Sequence, residues 1–124
     1  MLPLVSRIVQ DIVTYHERWL QAVGAFEIVN LTGDVGSSTN RAHELQRDAE
    51  RIAGDIQGFV AELNALGLAF KSFDPGLVDF PSVREGRPVL LCWKLNEPEV
   101  AHWHEVDAGY GGRQPLQTAV ASPT

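Results

Sequence analysis

A single cysteine, Cys92, stands in the 124 residues. No disulfide can therefore form within the chain, and this usage suits a reducing compartment, so a cytoplasmic location is expected. Positive charge is scarce as well: 10 lysines and arginines face 16 acids, for a net charge of -6. A basic stripe for nucleic acid is missing, and the same sign disfavours binding to anionic membrane surfaces. No run approaches the roughly 20 apolar residues of a membrane span. The opening "MLPLVSRIVQDIV" sets Arg7 and Asp11 inside its apolar run. It lacks a basic lead and a small-residue cleavage site, so it does not read as a signal peptide. No internal repeat is visible. What remains is a chain of one-domain length, able to bury a core without disulfide or metal.

Helical periodicity fills the first half. Pro3 suits a first helical position, and the spacing predicts a helix over 3–23. Val5, Ile8, Ile12, Tyr15, Trp19, Ala22 and Phe26 follow steps of three and four along one stripe, with Val9, Val13, Leu20 and Val23 on a second stripe beside it. So wide an apolar face needs two partners. Residues 24–38, with three glycines and a polar cluster, read as a connection. A second helix is expected at about 39–66. Its seam of Ala42, Leu45, Ala49, Ile52, Ile56, Phe59, Leu63 and Leu66 is of coiled-coil type, with Gly67 as the left-handed cap. Gly54 and Gly58, four apart, suggest a close helix crossing. From residue 68 the pattern turns to short β-like runs, "LAFKSF", "GLVDF", "PVLLCWKL" and "VAHWHEV", separated by the turn compositions "DPG", "PSVREGR" and "NEPE".

The segment "GLVDFPSVREGRPVLLCWKLNEPEVAHWHEVDAGYGGRQPL", with the opening "LPLVSRIVQDIV", resembles the bacterial and archaeal family catalogued as domain of unknown function 2203. The resemblance covers nearly the whole chain and is most specific in "GLVDFP", "LCWKL", "EPE", "WHEVDAG" and "GRQP". It implies a small cytosolic protein with helices first and a β-rich end, and it implies no particular reaction. Relatives often carry a short leader before "LPLV", where this chain opens at Met1. Many have glycine where this chain has Asn96, so the turn before Glu97 is expected to differ in geometry.

The candidate site residues cluster near the end. His102 and His104 lie one residue apart, a spacing that places both rings on one face of a strand. Together they could chelate a divalent metal such as zinc, with Asp107 continuing the row and further ligands from Cys92, Asp79 or a second subunit. The simpler alternative is a histidine pair hydrogen-bonded to nearby loops. In the family pattern "WHE" recurs while the place of His102 does not, which points to His104 acting with Glu105 or Arg113. His104 could then be a general base near neutral pH, although no nucleophile is identifiable beside it. "GYGGR", residues 109–113, offers backbone N–H groups at Gly112 and its neighbours for an anion. It lacks the strand–loop–helix setting of a P-loop, so a tight turn needing positive φ is the simpler reading. Trp93, Trp103 and Tyr110 are candidate binding aromatics, or core. Cys92, inside an apolar run, is expected to be inert. Glu97 and Glu99 flank Pro98 in a turn and read as solvated.

The expected fold is α+β in one domain over 1–116: a long antiparallel helical hairpin (3–67), then a small antiparallel sheet of three or four strands (68–116). A disordered tail is expected at 117–124. Trp103 should face the core, with Glu105 at its margin in a bidentate pair with Arg113, and His104 facing outward over a shallow pocket. The apolar faces exceed what one hairpin can bury, so a homodimer is expected. In function the chain reads as a binding or assembly protein with a small-molecule or protein ligand. The alternative is a small metal-dependent or acid–base enzyme centred on His104.

Overall fold

The computed structural model describes residues 1–32 and 37–116. Helix α1 spans Leu2–Thr32 and helix α2 spans Ser37–Ala65. Strands β1 (Ala69–Phe73), β2 (Gly76–Arg84), β3 (Arg87–Lys94), β4 (His102–Glu105) and β5 (Gln114–Pro115) follow, with a 3-10 turn at Tyr110–Gly112 before the last. They form one antiparallel sheet in the order β1-β2-β3-β4-β5. The architecture is thus a helical hairpin followed by an antiparallel sheet, with five strands instead of three or four. The added strand is a two-residue piece of "GRQP" paired with His102 and Trp103. The tail expected at 117–124 lies outside the described residues.

Helix α1 runs farther than its first stripe suggested, through the start of the expected connection. Gly24 stands there among Ala25, Phe26, Glu27, Ile28 and Leu31, and one interior glycine costs only about 1 kcal/mol. The hairpin packs along its length, with Tyr15 edge-on to Phe59 at 5.1 Å between ring centroids. The N-terminal part of α1 buries Val5, Ile8, Val9 and Ile12. Its second stripe rests on the sheet: a Cβ on Gly76, the first residue of β2, would lie 2.7 Å from Val9 Cγ1 and 3.0 Å from Val13 Cγ2. Only glycine admits that approach. The wide face of α1 therefore meets two partners, α2 and the sheet. Gly54 and Gly58 are different. Among the described residues no atom lies within 4 Å of a Cβ added to either, so they show no close crossing there.

Helix α2 ends as its sequence implied. Gly67 takes φ 84°, its N–H donates to the Asn64 carbonyl, and the Leu68 N–H donates to the Leu63 carbonyl, both at 3.0 Å. This is the two-bond ending that satisfies the last carbonyls. Leu63 and Leu68 both enter the core.

The inner face of the sheet carries Val78 and Trp93 into that core, with Phe70, Phe73, Phe80 and Leu95 packed around them. Strand β2 continues through "PSVR", which reads by composition as a turn. Pro81 is tolerated because β1 pairs no farther than Asp79, so the side of β2 facing β1 is unpaired there. The true turn is Glu85–Gly86, with φ 53° and 79°. Positive φ at both central residues marks the two-residue hairpin whose twist matches its strands. Asn96 takes φ 82°, the region a glycine would occupy, and asparagine tolerates it well. The turn before Glu97 thus keeps a glycine-like backbone.

Candidate functional site

Antiparallel register decides what stands together on the outer face, the one turned away from the helices. Asp79 on β2 is the direct partner of Cys92 on β3. Cys92 is in turn opposite His102 on β4, and Leu90 is opposite His104. Directly opposed residues share a face, so these side chains all point outward. A pocket of about 360 Å³ opens above Asp79, Cys92 and His104. Its walls include Lys71, Leu90, Val106 and Tyr110. Lys71 sits at the irregularity in the β1–β2 ladder, between Phe70 and Ser72.

Beneath this pocket, Asp79 is 4%, Cys92 1% and His104 3% exposed. A nitrogen of His104, the Cys92 sulfur and an oxygen of Asp79 lie within 4.8 Å of one another. The His104 ring is held at both ends. Its Nδ1 lies 2.7 Å from the Glu105 carbonyl, and its Nε2 lies 3.2 Å from Asp79 Oδ1. A carbonyl only accepts, so Nδ1 carries the hydrogen and donates it. Nε2 then faces a carboxylate oxygen, and that contact is attractive only with a proton or another cation between the two atoms. Burial pushes the Cys92 thiol above its ordinary range, Arg113 pulls the other way, and Asp79 and Glu97 add to the rise. A thiol held protonated is a weak nucleophile, so the site as it stands does not favour covalent chemistry at sulfur.

A second network closes the neighbouring edge. The Glu97 carboxylate accepts from the Lys94 N–H and from Arg113 Nη2, both at 2.8 Å. Burial would raise its pKa, but these two bonds outweigh it and hold Glu97 below the usual carboxylate range. Arg113 Nη2 also donates to the Cys92 carbonyl at 3.2 Å. The arginine thus ties the loop after β4 to the strand that carries the cysteine.

The expected Glu105–Arg113 clasp is not formed. Glu105 pairs with Arg87 at 2.6 Å, and Arg113 pairs with Glu97. Glu105 shares the inner face with Trp103 and stands opposite Val89, two residues from Arg87 at the start of β3 and on the same face as it. Arg113 lies just before β5, which runs on the other side of β4, and meets Glu97 in the turn after β3 instead. Glu97, read as a solvated turn residue, is the actual anchor.

The other candidate residues divide between the two faces. Trp103 is buried on the inner face with the Arg84 guanidinium 4.6 Å over its ring. Trp93 is buried in the core, its ring N–H donating to the Glu97 carbonyl at 2.9 Å. Neither lines the outer pocket; Tyr110 does. His102 stands apart from the Asp79–Cys92–His104 group, with Nδ1 3.5 Å from Glu97 Oε2 and no hydrogen-bond partner for that atom among the described residues. Gly112 donates its N–H to the Gly109 carbonyl, and Arg113 donates its own to the Tyr110 carbonyl, so two N–H groups that an anion loop would offer are used within the turn. The positive φ in this stretch falls on Gly109, at 67°. A Cβ on Gly112 would lie 2.6 Å from Ala108 Cβ, so compactness requires that glycine.

No helix among the described residues is long and apolar enough to cross a membrane. No curated protein and no solved structure matches the chain. The model of the family described as "Uncharacterized conserved protein (DUF2203)" matches residues 1–116, nearly the whole chain and every element of the fold, and the protein belongs to that family.

Proposed function

We propose that this chain is a small cytoplasmic binding and assembly protein that takes a small ligand in the outer-face pocket and pairs with a second copy through its helical hairpin. One observation carries the ligand half: a carboxylate, a thiol and an imidazole are buried together beneath a pocket. Polar groups so placed cost stability, and a face needed only for support would be apolar or wet. Convergent polar groups at the floor of an apolar-walled pocket are the usual mark of a binding site. The His104–Asp79 pair also supports acid–base catalysis at the same floor as a second reading.

Fragment binding monitored by amide chemical shifts tests the pocket. Binders are expected to perturb Leu90, Val106 and Tyr110, and a folded Leu90→Trp variant should lose them. Fragments that perturb only other surfaces would count against the pocket.

The pairing half is supported by the second stripe of α1. The sheet covers that stripe at Val9 and Val13. Helical periodicity continues it through Leu20 and Leu31, with Ile28 beside it, and these are 51%, 85% and 63% exposed. Trp19, Val23 and Phe26 line an adjoining groove against α2. Sedimentation equilibrium at micromolar concentration should give twice the 13.6 kDa chain mass, and a Leu20→Glu/Leu31→Glu variant should give the monomer. A monomeric wild-type chain across that range removes the proposal.

A further inference from the structure

The structure assigns a divalent transition-metal site to Asp79, Cys92 and His104, with the ion held by three side chains and its remaining coordination position open to the pocket. This inference rests on reading the outer-face pocket as the functional site and names the ligand class at its floor.

Geometry comes first. Bond lengths of about 2.0–2.3 Å to nitrogen, oxygen and sulfur put the ligands of a tetrahedral ion roughly 3.3–3.8 Å apart. The three donor atoms already lie within 4.8 Å of one another, and His104 Nε2 and Asp79 Oδ1 are 3.2 Å apart. Small side-chain rotations would close that geometry without moving the strands.

Orientation points the same way. The Glu105 carbonyl accepts the hydrogen bond from His104 Nδ1, so Nε2 is the ring atom turned toward Asp79 and becomes the ligand atom once the ion takes the place of the proton there. Metal-binding histidines are held in this manner by an outer acceptor on the other ring nitrogen. Arg113 does the corresponding work on β3, where it fixes the carbonyl of Cys92.

Charge is the third consideration. On binding, the Cys92 thiol proton and the proton between His104 Nε2 and Asp79 Oδ1 both leave to solvent, so the ligand set becomes one carboxylate, one thiolate and one neutral imidazole. Its charge of minus two cancels a dication, so the loaded site is neutral where it is buried. Among the described residues the ion-pair partner of the Asp79 carboxylate is His104 alone. The nearby guanidinium of Arg113 is engaged by Glu97. A mixed S, N, O set selects zinc and its neighbours over magnesium or calcium, which prefer oxygen. Three protein ligands with one open position is the arrangement of reactive zinc centres, whereas closed structural sites use four.

The test uses the full chain purified without a histidine tag, stripped by chelator and titrated with Co²⁺ as a spectroscopic probe. One Co²⁺ per chain is expected, with a thiolate-to-cobalt charge-transfer band in the near ultraviolet that Zn²⁺ abolishes. Cys92 is the single cysteine, so in the wild-type chain that band reports on it without any substitution. Cys92→Ser should lose the band. His104→Gln and Asp79→Asn should each weaken binding by on the order of 100-fold or more, beyond the loss from removing an outer partner. His102→Gln should change affinity by less than about 10-fold, the low end of an outer-partner effect. No Co²⁺ binding, or binding without a sulfur band, overturns the assignment. Fragment binding by the metal-free chain would then still support the pocket, so the two readings fail separately.

Discussion

Trp93→Ala is expected to lower the unfolding free energy by about 3–5 kcal/mol, the range for truncating a buried aromatic. Trp93 is the largest of the fully buried side chains. It stands on β3 opposite Val78 and meets the core formed with α1. Removing the indole leaves a cavity beneath the helices. It also strips the Glu97 carbonyl of its donor, at a cost of roughly 1 kcal/mol. Trp93→Phe keeps much of the volume and loses that bond, so it should fall between wild type and Trp93→Ala. Urea unfolding reads the effect as a lower midpoint with an unchanged slope. A loss under about 1 kcal/mol for Trp93→Ala would mean that the core collapses around the gap far more readily than close packing allows.

A loss of comparable size is expected at the outer face. With chelator present, His104→Ala should cost about 3–5 kcal/mol, because it leaves the Asp79 carboxylate buried without its partner. Replacing Asp79 as well removes that unpaired charge. The double variant Asp79→Asn/His104→Ala should therefore be less destabilised than the two single losses together. A double-mutant cycle by urea unfolding measures this coupling, and residues in direct contact show about 0.5–3 kcal/mol. Strict additivity would show that the 3.2 Å contact has no energetic weight.

The helices were legible because burial follows a period that sequence displays directly. Ile8, Ile12, Leu45, Ile56 and Leu63 sit on the expected stripes and are buried. The end of α1 was less so. Glycine content points to a connection from residue 24 onward, yet Gly24 sits among apolar residues and the polar cluster begins only near Gly33. The faces of β4 were readable from alternation around Trp103. The partner of Arg113 is not legible in the sequence, because its position depends on how the chain folds back into β5, which no periodicity encodes. The nearness of Asp79 and Cys92 depended on one turn. Taken as a two-residue hairpin, Glu85–Gly86 pairs Arg84 with Arg87, and five further steps along each strand put Asp79 opposite Cys92. The signal was weak because glutamate is an unusual occupant of a positive φ and because Pro81 disguised the strand.

The reach of the hairpin divides the molecule energetically. All the fully buried residues of α1 lie between Val5 and Ile12, and none follows in the twenty residues up to Thr32. Backbone amides from about Trp19 onward are therefore protected by one neighbouring helix and little else. Local opening of this arm is the least costly excursion from the native state, well below global unfolding. Hydrogen exchange should run in two regimes, slow where α1 lies against β2 and faster beyond. Any second surface that covers Leu20 and Leu31 would slow the fast regime first. The arm thus reports occupancy of its own apolar face, while the sheet and its buried trio remain unmoved.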